Sequence, residues 1–221
     1  MINRLDIGAA LDWEGRLFEE VAKRPEKRFL QVWSSEPSLV SPKKLSTLPG
    51  YPDAAREMAK AGWPVHLRAT GGDVTPQGPG IVNVTHVYTH ASGGAFDIEA
   101  AYGRLCQPIV RALGGDASIG WQPGAFCDGA YNVQWAGLKF AGTAMRFRPS
   151  RADKSSHTVL AHALMLFEPP SDDAIAAVNR FLSLLGEPRT IDPTAHTGLP
   201  DGLRADQFLK RLRSEFDAPT D

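Results

Sequence analysis

The stretch Arg68-Ala69-Thr70-Gly71-Gly72-Asp73-Val74-Thr75-Pro76-Gln77-Gly78-Pro79-Gly80-Ile81-Val82-Asn83 decides how the rest of the chain is read. It holds four glycines and two prolines, with no large apolar residue before Ile81. Such a composition is not expected to build core. Val65-His66-Leu67 precedes it and Ile81-Val82-Asn83-Val84 follows, so it reads as a loop between two strands. Gly71-Gly72 and Gly78-Pro79-Gly80 let the backbone approach a ligand closely. N–H groups in such a turn can converge on an anion or carboxylate, and Arg68 can add a fixed positive charge. The plain alternative is a long hairpin connection with ordinary turn glycines.

Outward from the loop, Ile81 to Tyr88 alternates with the period of a strand that has two different faces. Upstream, Pro52 to Ala61 reads as a short helix stopped by Gly62. Lys43 to Pro49 reads as loop, and Arg28 to Trp33 and Pro37 to Val40 as strands. Asp12 to Lys23 is an expected helix, with Leu11, Trp13, Leu17, Phe18 and Val21 at helical spacing. Downstream of Gly93-Gly94, Phe96 to Leu113 is a longer helix whose apolar face includes Ile98, Leu105 and Ile109, and Gly114-Gly115 ends it. Ile119 to Gly129 is turn-rich. Tyr131 to Trp135 and Leu138 to Arg148 are strands joined by a tight Ala136-Gly137 turn. Pro149 to His157 is a polar loop, and Thr158 to Phe167 a buried strand. Ser171 caps a helix from Asp172 to Leu185, Glu187 to Pro200 is loop, and Leu203 to Phe216 is a last amphipathic helix. Strands in runs broken by a few helices suggest an α+β fold.

The 221 residues are 43% hydrophobic and 22% charged, ordinary globular values that favour one domain over 1–221. A formal net charge of -1 gives no global electrostatic case for nucleic acid or a membrane surface. Cys106 and Cys127 form neither a disulfide framework nor a zinc pattern, which suits a reducing setting. The start, M-I-N-R-L-D-I-G, lacks an apolar signal core and no run reaches transmembrane length, so a cytoplasmic protein is expected. His86 and His90 lie four apart without a third ligand, and no metal site is expected.

The Arg68–Asn83 loop, the Gly124–Gly129 turn and the hairpin after it are expected to meet in one ligand site. Cys127, in G-A-F-C-D-G, is either a small buried apolar residue or a nucleophile; Cys106, on a helix, reads as core. Asp128 can orient Cys127 or Lys139, or simply cap the turn. Lys139 taken alone is a solvated lysine at a strand start. His162 is either a satisfied core histidine or part of the site.

Three blocks then resemble one family. R-A-T-G-G-D-V-T-P-Q-G-P-G-I-V-N resembles the glycine-rich signature of the lipoate-protein ligases and octanoyltransferases. G-L-K-F-A-G-T-A-M-R, Gly137 to Arg146, is similar to that family's K-x-x-G-x-A block. V-L-A-H-A-L-M-L, Val159 to Leu166, is similar to its H-G/H-A strand. Order and spacing agree, and the match covers about residues 28 to 185. The resemblance implies an α+β, class II synthetase-like catalytic domain, with a central mixed, mostly antiparallel sheet flanked by helices. It implies attachment of octanoyl or lipoyl groups to a lysine of a lipoyl-carrier domain or of glycine cleavage H protein. By the same resemblance Arg68, Gly71, Gly72, Gly78 and Asn83 line the acyl and carboxylate pocket. Lys139 lies beside the acyl carbonyl, and Gly142, Thr143 and Ala144 shape the site; Asp128 and His162 stay candidates for it on their own chemistry. Gln77 departs from the family's frequent histidine, and Asp73 from a small or neutral residue. The G-R-G-R-x-x-G loop of biotin ligases is absent.

Two chemistries divide such a family. Ligases need ATP and magnesium and make an acyl-adenylate from lipoate or octanoate. Cysteine transferases need no cofactor: acyl carrier protein can deliver the chain, a thiol holds it as a thioester, and a lysine amine receives it. Cys127 stands twelve residues before Lys139, where the cysteine-using members resemble this chain in placing their thiol. A Lys139 ammonium there would favour the thiolate and steady charge on the acyl oxygen. Only about thirty residues follow the Glu187 loop, too few for the accessory domain many ligases carry, which tilts the expectation to a transferase. A non-catalytic carrier- or ligand-binding member is the third alternative. The Arg151–His157 loop is placed to close over substrate.

Overall fold

Eight consecutive buried residues, Ile81 to Tyr88, set the middle of the architecture. They belong to β6 (Ile81–Ala91), an interior strand of a seven-stranded sheet in the computed structural model, which describes residues 2–91, 93, 95–150, 153 and 155–218. The order across the sheet is β1 (Asn3–Arg4), β2 (Phe29–Ser34), β6, β10 (Ser156–Leu166), β9 (Leu138–Pro149), β8 (Asn132–Trp135) and β7 (Ala117–Gly120). Every neighbouring pair is antiparallel except β1 with β2. This is the mixed, mostly antiparallel sheet flanked by helices that the α+β expectation describes.

Both faces of β6 are covered, because residues of either parity are apolar enough to bury. Val82, Val84 and Tyr88 pack with α3 (Ile98–Leu113) and α5 (Ala205–Asp217) through Leu105, Ile109, Phe208 and Leu212. Val87 faces α1 (Ile7–Lys23) through Leu17, Phe18 and Val21. The two faces therefore differ in their polar residues rather than in exposure: Asn83 and Thr85 share the α1 side. Helix α1 starts five residues ahead of the expected Asp12, because the Asp6 carboxylate accepts a hydrogen bond from the Ala9 N–H and caps it. Asp97 caps α3 and Ser171 caps α4 (Asp172–Leu184) in the same way. Ile98, expected on the apolar face of α3, is 47% exposed at the helix start.

The glycine loop is not a hairpin connection. Its flanking strands lie in different sheets: β4 (Val65–Arg68) joins β3 (Ser38–Pro42) and β5 (Thr75–Gln77) in a second, three-stranded sheet. The loop also builds core after all, since Val74 is fully buried and all of β5 is buried. Val74 sits with Leu39, Phe126 and Ile175 in an apolar cluster under α2 (Tyr51–Lys60) and α4. Two expected loops carry 3-10 turns, Lys43–Thr47 and Pro193–Ala195. The Ala136-Gly137 turn has φ of 50° and 77°, the paired left-handed values of a two-residue hairpin turn. The polar loop expected at 149–157 to close over substrate includes residues 151, 152 and 154, which lie outside the described residues; β10 already begins at Ser156.

Candidate active site

Register brings the polar residues of the large sheet to one place. Asn83 on β6 faces Leu164 on β10, which faces Gly142 on β9; Thr85, His162 and Ala144 form the next row. Because a strand alternates its faces, these two rows share the α1 side. There Asn83, Leu164, Gly142, His162 and Ala144 line a cavity with Arg68, Cys127 and Thr143, its empty space about 420 Å³ with the open mouth included. Leu11, Trp33, Val40 and Leu164 supply its apolar walls. Gln77 and Asn83 exchange two amide hydrogen bonds, 2.8 and 3.2 Å, and form a fixed polar patch on the wall. Gly71, Gly72, Asp128 and Asn132 line a groove that opens beside Cys127. Gly78 lies outside both: its Cα faces Pro37, where an added Cβ would meet the Pro37 Cα at 3.5 Å. It serves the turn before β6, where φ is 142°.

Cys127 is the hinge of the site. It has φ 53°, a left-handed value rare outside glycine, and is 6% exposed. That conformation turns the side chain towards Gly72, and a Cβ built there would stand 2.6 Å from the Cys127 Sγ and 2.8 Å from an Arg68 nitrogen. Cys127 and the glycine loop are thus in direct apposition, as expected of residues from two separate stretches of one site.

Arg68 and Lys139 both turn most of their donors inward, onto backbone carbonyls. Arg68 is 4% exposed and spends four N–H donors on backbone carbonyls: Nε and Nη2 on Gly71, Nη2 on Asp73 at 2.6 Å, and Nη1 on Val40. It holds the loop from inside, with its charge at the cavity wall, instead of presenting a free fork to a ligand. Burial pushes its pKa down, opposed chiefly by Cys127. Lys139 is fully buried beneath the Cys127 turn, and its ammonium donates to the Phe126 and Cys127 carbonyls, the latter at 2.7 Å. An ammonium has three donors, so one remains. Burial pushes Lys139 down to about 8, with Cys127 and then Asp128 pulling the other way.

The segment after α4, expected as plain loop, braces this lysine. Thr197 N–H donates to the Lys139 carbonyl at 2.9 Å, and Asp192 N–H to the Gly124 carbonyl at 2.8 Å. His196 stacks on Phe126 at 4.3 Å between ring centroids and accepts from the Phe126 N–H at 3.3 Å. Burial, with Lys139 adding, pushes His196 down to about 4, so it is neutral and able to accept. Asp73 and Asp128 both face Arg189, at 2.7 and 3.5 Å. The Arg189 guanidinium balances both carboxylates, and the Lys44 ammonium stands 3.9 Å from Asp73.

His162 belongs to the cavity rather than to a sealed core. Its Nε2 is 2.9 Å from the Thr70 hydroxyl and its Nδ1 3.5 Å from the Glu14 carboxylate. Glu14, 3% exposed, also accepts from the Thr85 hydroxyl at 2.5 Å, which accepts from the Trp33 indole N–H at 2.9 Å. The sequence reading missed Glu14, Thr70, Trp33, Arg189 and His196. Glu14 had a signal: a carboxylate three residues after Leu11 and four before Phe18, on the apolar stripe of its helix.

Comparison with known proteins follows the same lines. The family model described as lipoyl protein ligase A/B catalytic domain matches residues 6–185. An uncharacterized protein of Cupriavidus necator is 35% identical over 180 residues, covering 75% of this chain and 70% of that protein. An octanoyl-GcvH:protein N-octanoyltransferase of Kyrpidia tusciae is 29% identical over 177 residues, and the match spans 76% of this chain but only 60% of the transferase. Among solved structures, a lipoate-protein ligase A bound with ATP superposes with a TM-score of 0.67 at 18% identity, over 98% of this chain and 82% of the other. The bipartite lipoate protein ligase of Thermoplasma acidophilum gives 0.65 at 18% identity, over 97% and 80%. At such identities the likeness is one of fold.

Proposed function

The chain belongs to the lipoyl protein ligase A/B catalytic-domain family, and we propose that it is an enzyme that moves an octanoyl or lipoyl group onto a lysine of a lipoyl-carrier domain through a Cys127 thioester. The observation that carries this reading is the placement of Cys127. A left-handed turn sets the thiol at the join of an apolar-walled cavity and an open groove. The cavity suits an alkyl chain, and the groove an incoming lysine side chain.

In this scheme the Cys127 sulfur forms a bond to the acyl carbonyl carbon. The third donor of Lys139 and the fixed charge of Arg68 steady the negative oxygen that develops. The bond to the donor breaks, and the departing group leaves with the proton given up by the thiol. The acceptor lysine, as free amine, then attacks the thioester carbon; its amide forms, the carbon–sulfur bond breaks, and the thiol regains a proton from the amine. Splitting the transfer this way replaces one hard substitution with two easier ones. The name of the Kyrpidia relative carries an octanoyl-GcvH donor, so we take octanoyl-GcvH beside octanoyl-acyl carrier protein as candidate donors, and other lipoyl domains as acceptors. The whole of 1–221 is taken as one catalytic unit.

Intact-mass spectrometry tests this without ATP, with each octanoyl donor in turn, on wild type and Cys127→Ala. One hydroxylamine-sensitive octanoyl adduct on wild type alone is the expected result. No adduct with either donor would sink the thioester scheme. Exchange of pyrophosphate into ATP with lipoate would then favour a ligase, and silence in both assays a non-catalytic binder.

A further inference from the structure

The face of the large sheet opposite the acyl cavity carries a second concave site. His86, Tyr88 and His90 alternate along β6 with Thr85 and Val87, so they point to the α3 and α5 side. There an open groove of about 1420 Å³, its mouth included, runs between β6, α3 and the end of α5. Its floor contains two imidazoles, His86 and His90; its wall contains Arg104, Gln107 and Phe216. Arg28 enters a pocket that shares His86 and Phe216 with it.

Two buried polar atoms here lack a partner among the described residues: His86 Nδ1 and Arg104 Nε. His86 is 4% exposed, held between the rings of Tyr88 at 4.6 Å and Phe216 at 5.2 Å. The Arg104 guanidinium lies 4.2 Å over the Tyr88 ring and makes no ion pair among the described residues. Buried polar groups nearly always find partners, and both residues line this groove, so a polar ligand there has two groups to satisfy. The charges define its sign. Burial, then Arg104, then Arg28 push His86 down to about 3, and Arg28 also opposes the charge of Arg104. Of the nearby acids, Glu215 is paired with Arg111, Asp217 stands 3.9 Å from Arg28 with most of its side chain in solvent, and Asp97 caps α3 and pulls the pKa of His90 upward.

We propose that this groove binds a phosphate group, free or as a monoester, between Arg104 and Arg28 with His86 at its base. A phosphate carries a charge of about -1.5 to -2 near neutral pH, enough to balance two guanidiniums where a single carboxylate balances one. Guanidinium forks match its oxygens. A singly protonated phosphate can also donate or accept at a neutral imidazole, whichever tautomer His86 adopts.

The test is thermal and calorimetric titration of the whole chain with inorganic phosphate and with glycerol 3-phosphate, against acetate and chloride at equal ionic strength. Saturable one-to-one binding of a phosphate is expected, weakened roughly tenfold or more in Arg104→Gln and unchanged in Cys127→Ala. The His86 and His90 ring resonances of wild type should shift on titration. Tighter binding of the ester places a ligand body along the groove; equal binding identifies inorganic phosphate as the occupant. Phosphate acting no differently from chloride overturns the proposal, as does binding that survives in both Arg104→Gln and Arg28→Gln. If Arg104→Gln fails to fold, Arg28→Gln and the wild-type histidine shifts decide. The acyl-transfer assay reads separately, so either idea can fail alone.

Discussion

Gly71 and Gly72 are neighbours in one loop, yet only Gly72 stands where a side chain has no room. Its φ of 92° already disfavours other residues, and the Cβ position lies 2.6 Å from the Cys127 Sγ. Gly72→Ala must displace the thiol or Arg68; we expect thioester formation to fall by about a hundredfold or more, with about 1–3 kcal/mol of lost stability. Nothing lies within 4 Å of a Cβ at Gly71, so Gly71→Ala should leave stability nearly unchanged. Equal effects in single-turnover acylation and melting would refute the assignment. Lys139 supplies a pH signature. In the proposed scheme its ammonium is the donor, and with a native pKa of about 8 it loses that proton well before an ordinary lysine at 10.5. Acylation should therefore stop rising and decline as pH passes about 8, and a rate that climbs on beyond about pH 9 would count against the role. Sequence motifs singled out Cys127, Lys139, Gly72 and His162, which the fold brings near one another. They could not say that Arg68 and Lys139 turn their donors onto backbone carbonyls, because carbonyl direction depends on loop conformation and not on residue type.

The β8–β9 hairpin that carries Lys139 is fixed by its two-residue turn. Ala136 occupies a left-handed position, φ 50°, that asparagine or glycine fills at lower cost. Ala136→Asn should raise stability by about 0.5–1 kcal/mol, and Gly137→Val, at φ 77°, should lower it by about 1–2 kcal/mol or more. Denaturant midpoints at constant m-value measure both; a neutral or harmful Ala136→Asn would contradict the turn assignment. This hairpin was legible because Ala-Gly sits between two periodic runs. The long helices were legible for the same reason, apart from the first turns of α1, which depend on the Asp6 cap. Strands β1, β5 and β7 have two, three and four residues, too few to show a period. The Glu187–Pro200 segment has no regular pattern at all; it is ordered by Ile191 in the core, His196 on Phe126 and two backbone hydrogen bonds into the site. Its neighbours are remote in sequence, and nothing local announces them.

At the scale of the whole molecule, one sheet separates two concave sites: the cavity proposed for the acyl chain on the α1 face and the groove lined by Arg104 on the other. Each side also buries a neutral histidine, His196 beside Lys139 and His86 in the groove, with pKa values near 4 and 3 against an ordinary 6.5. These depressed values tie folding to pH. Below 6.5 the unfolded chain takes up protons at both positions, while the native state refuses them until about pH 4 or lower. The unfolded state then binds more protons, so native stability is complete above pH 6.5 and is lost progressively as pH falls through that window. Each histidine is at most 5% exposed, so solvent screens the effect little, and each can remove on the order of 3 kcal/mol by pH 4. Much of that loss should already be present at about pH 5, where most ordinary carboxylates are still ionised. Equilibrium unfolding at several pH values between about 7 and 4.5 measures the slope, and His86→Leu, which keeps an apolar group against Tyr88 and Phe216, should make it shallower. A stability that is flat over this range, or a slope that His86→Leu leaves untouched, would mean that neither histidine is held neutral in the folded protein.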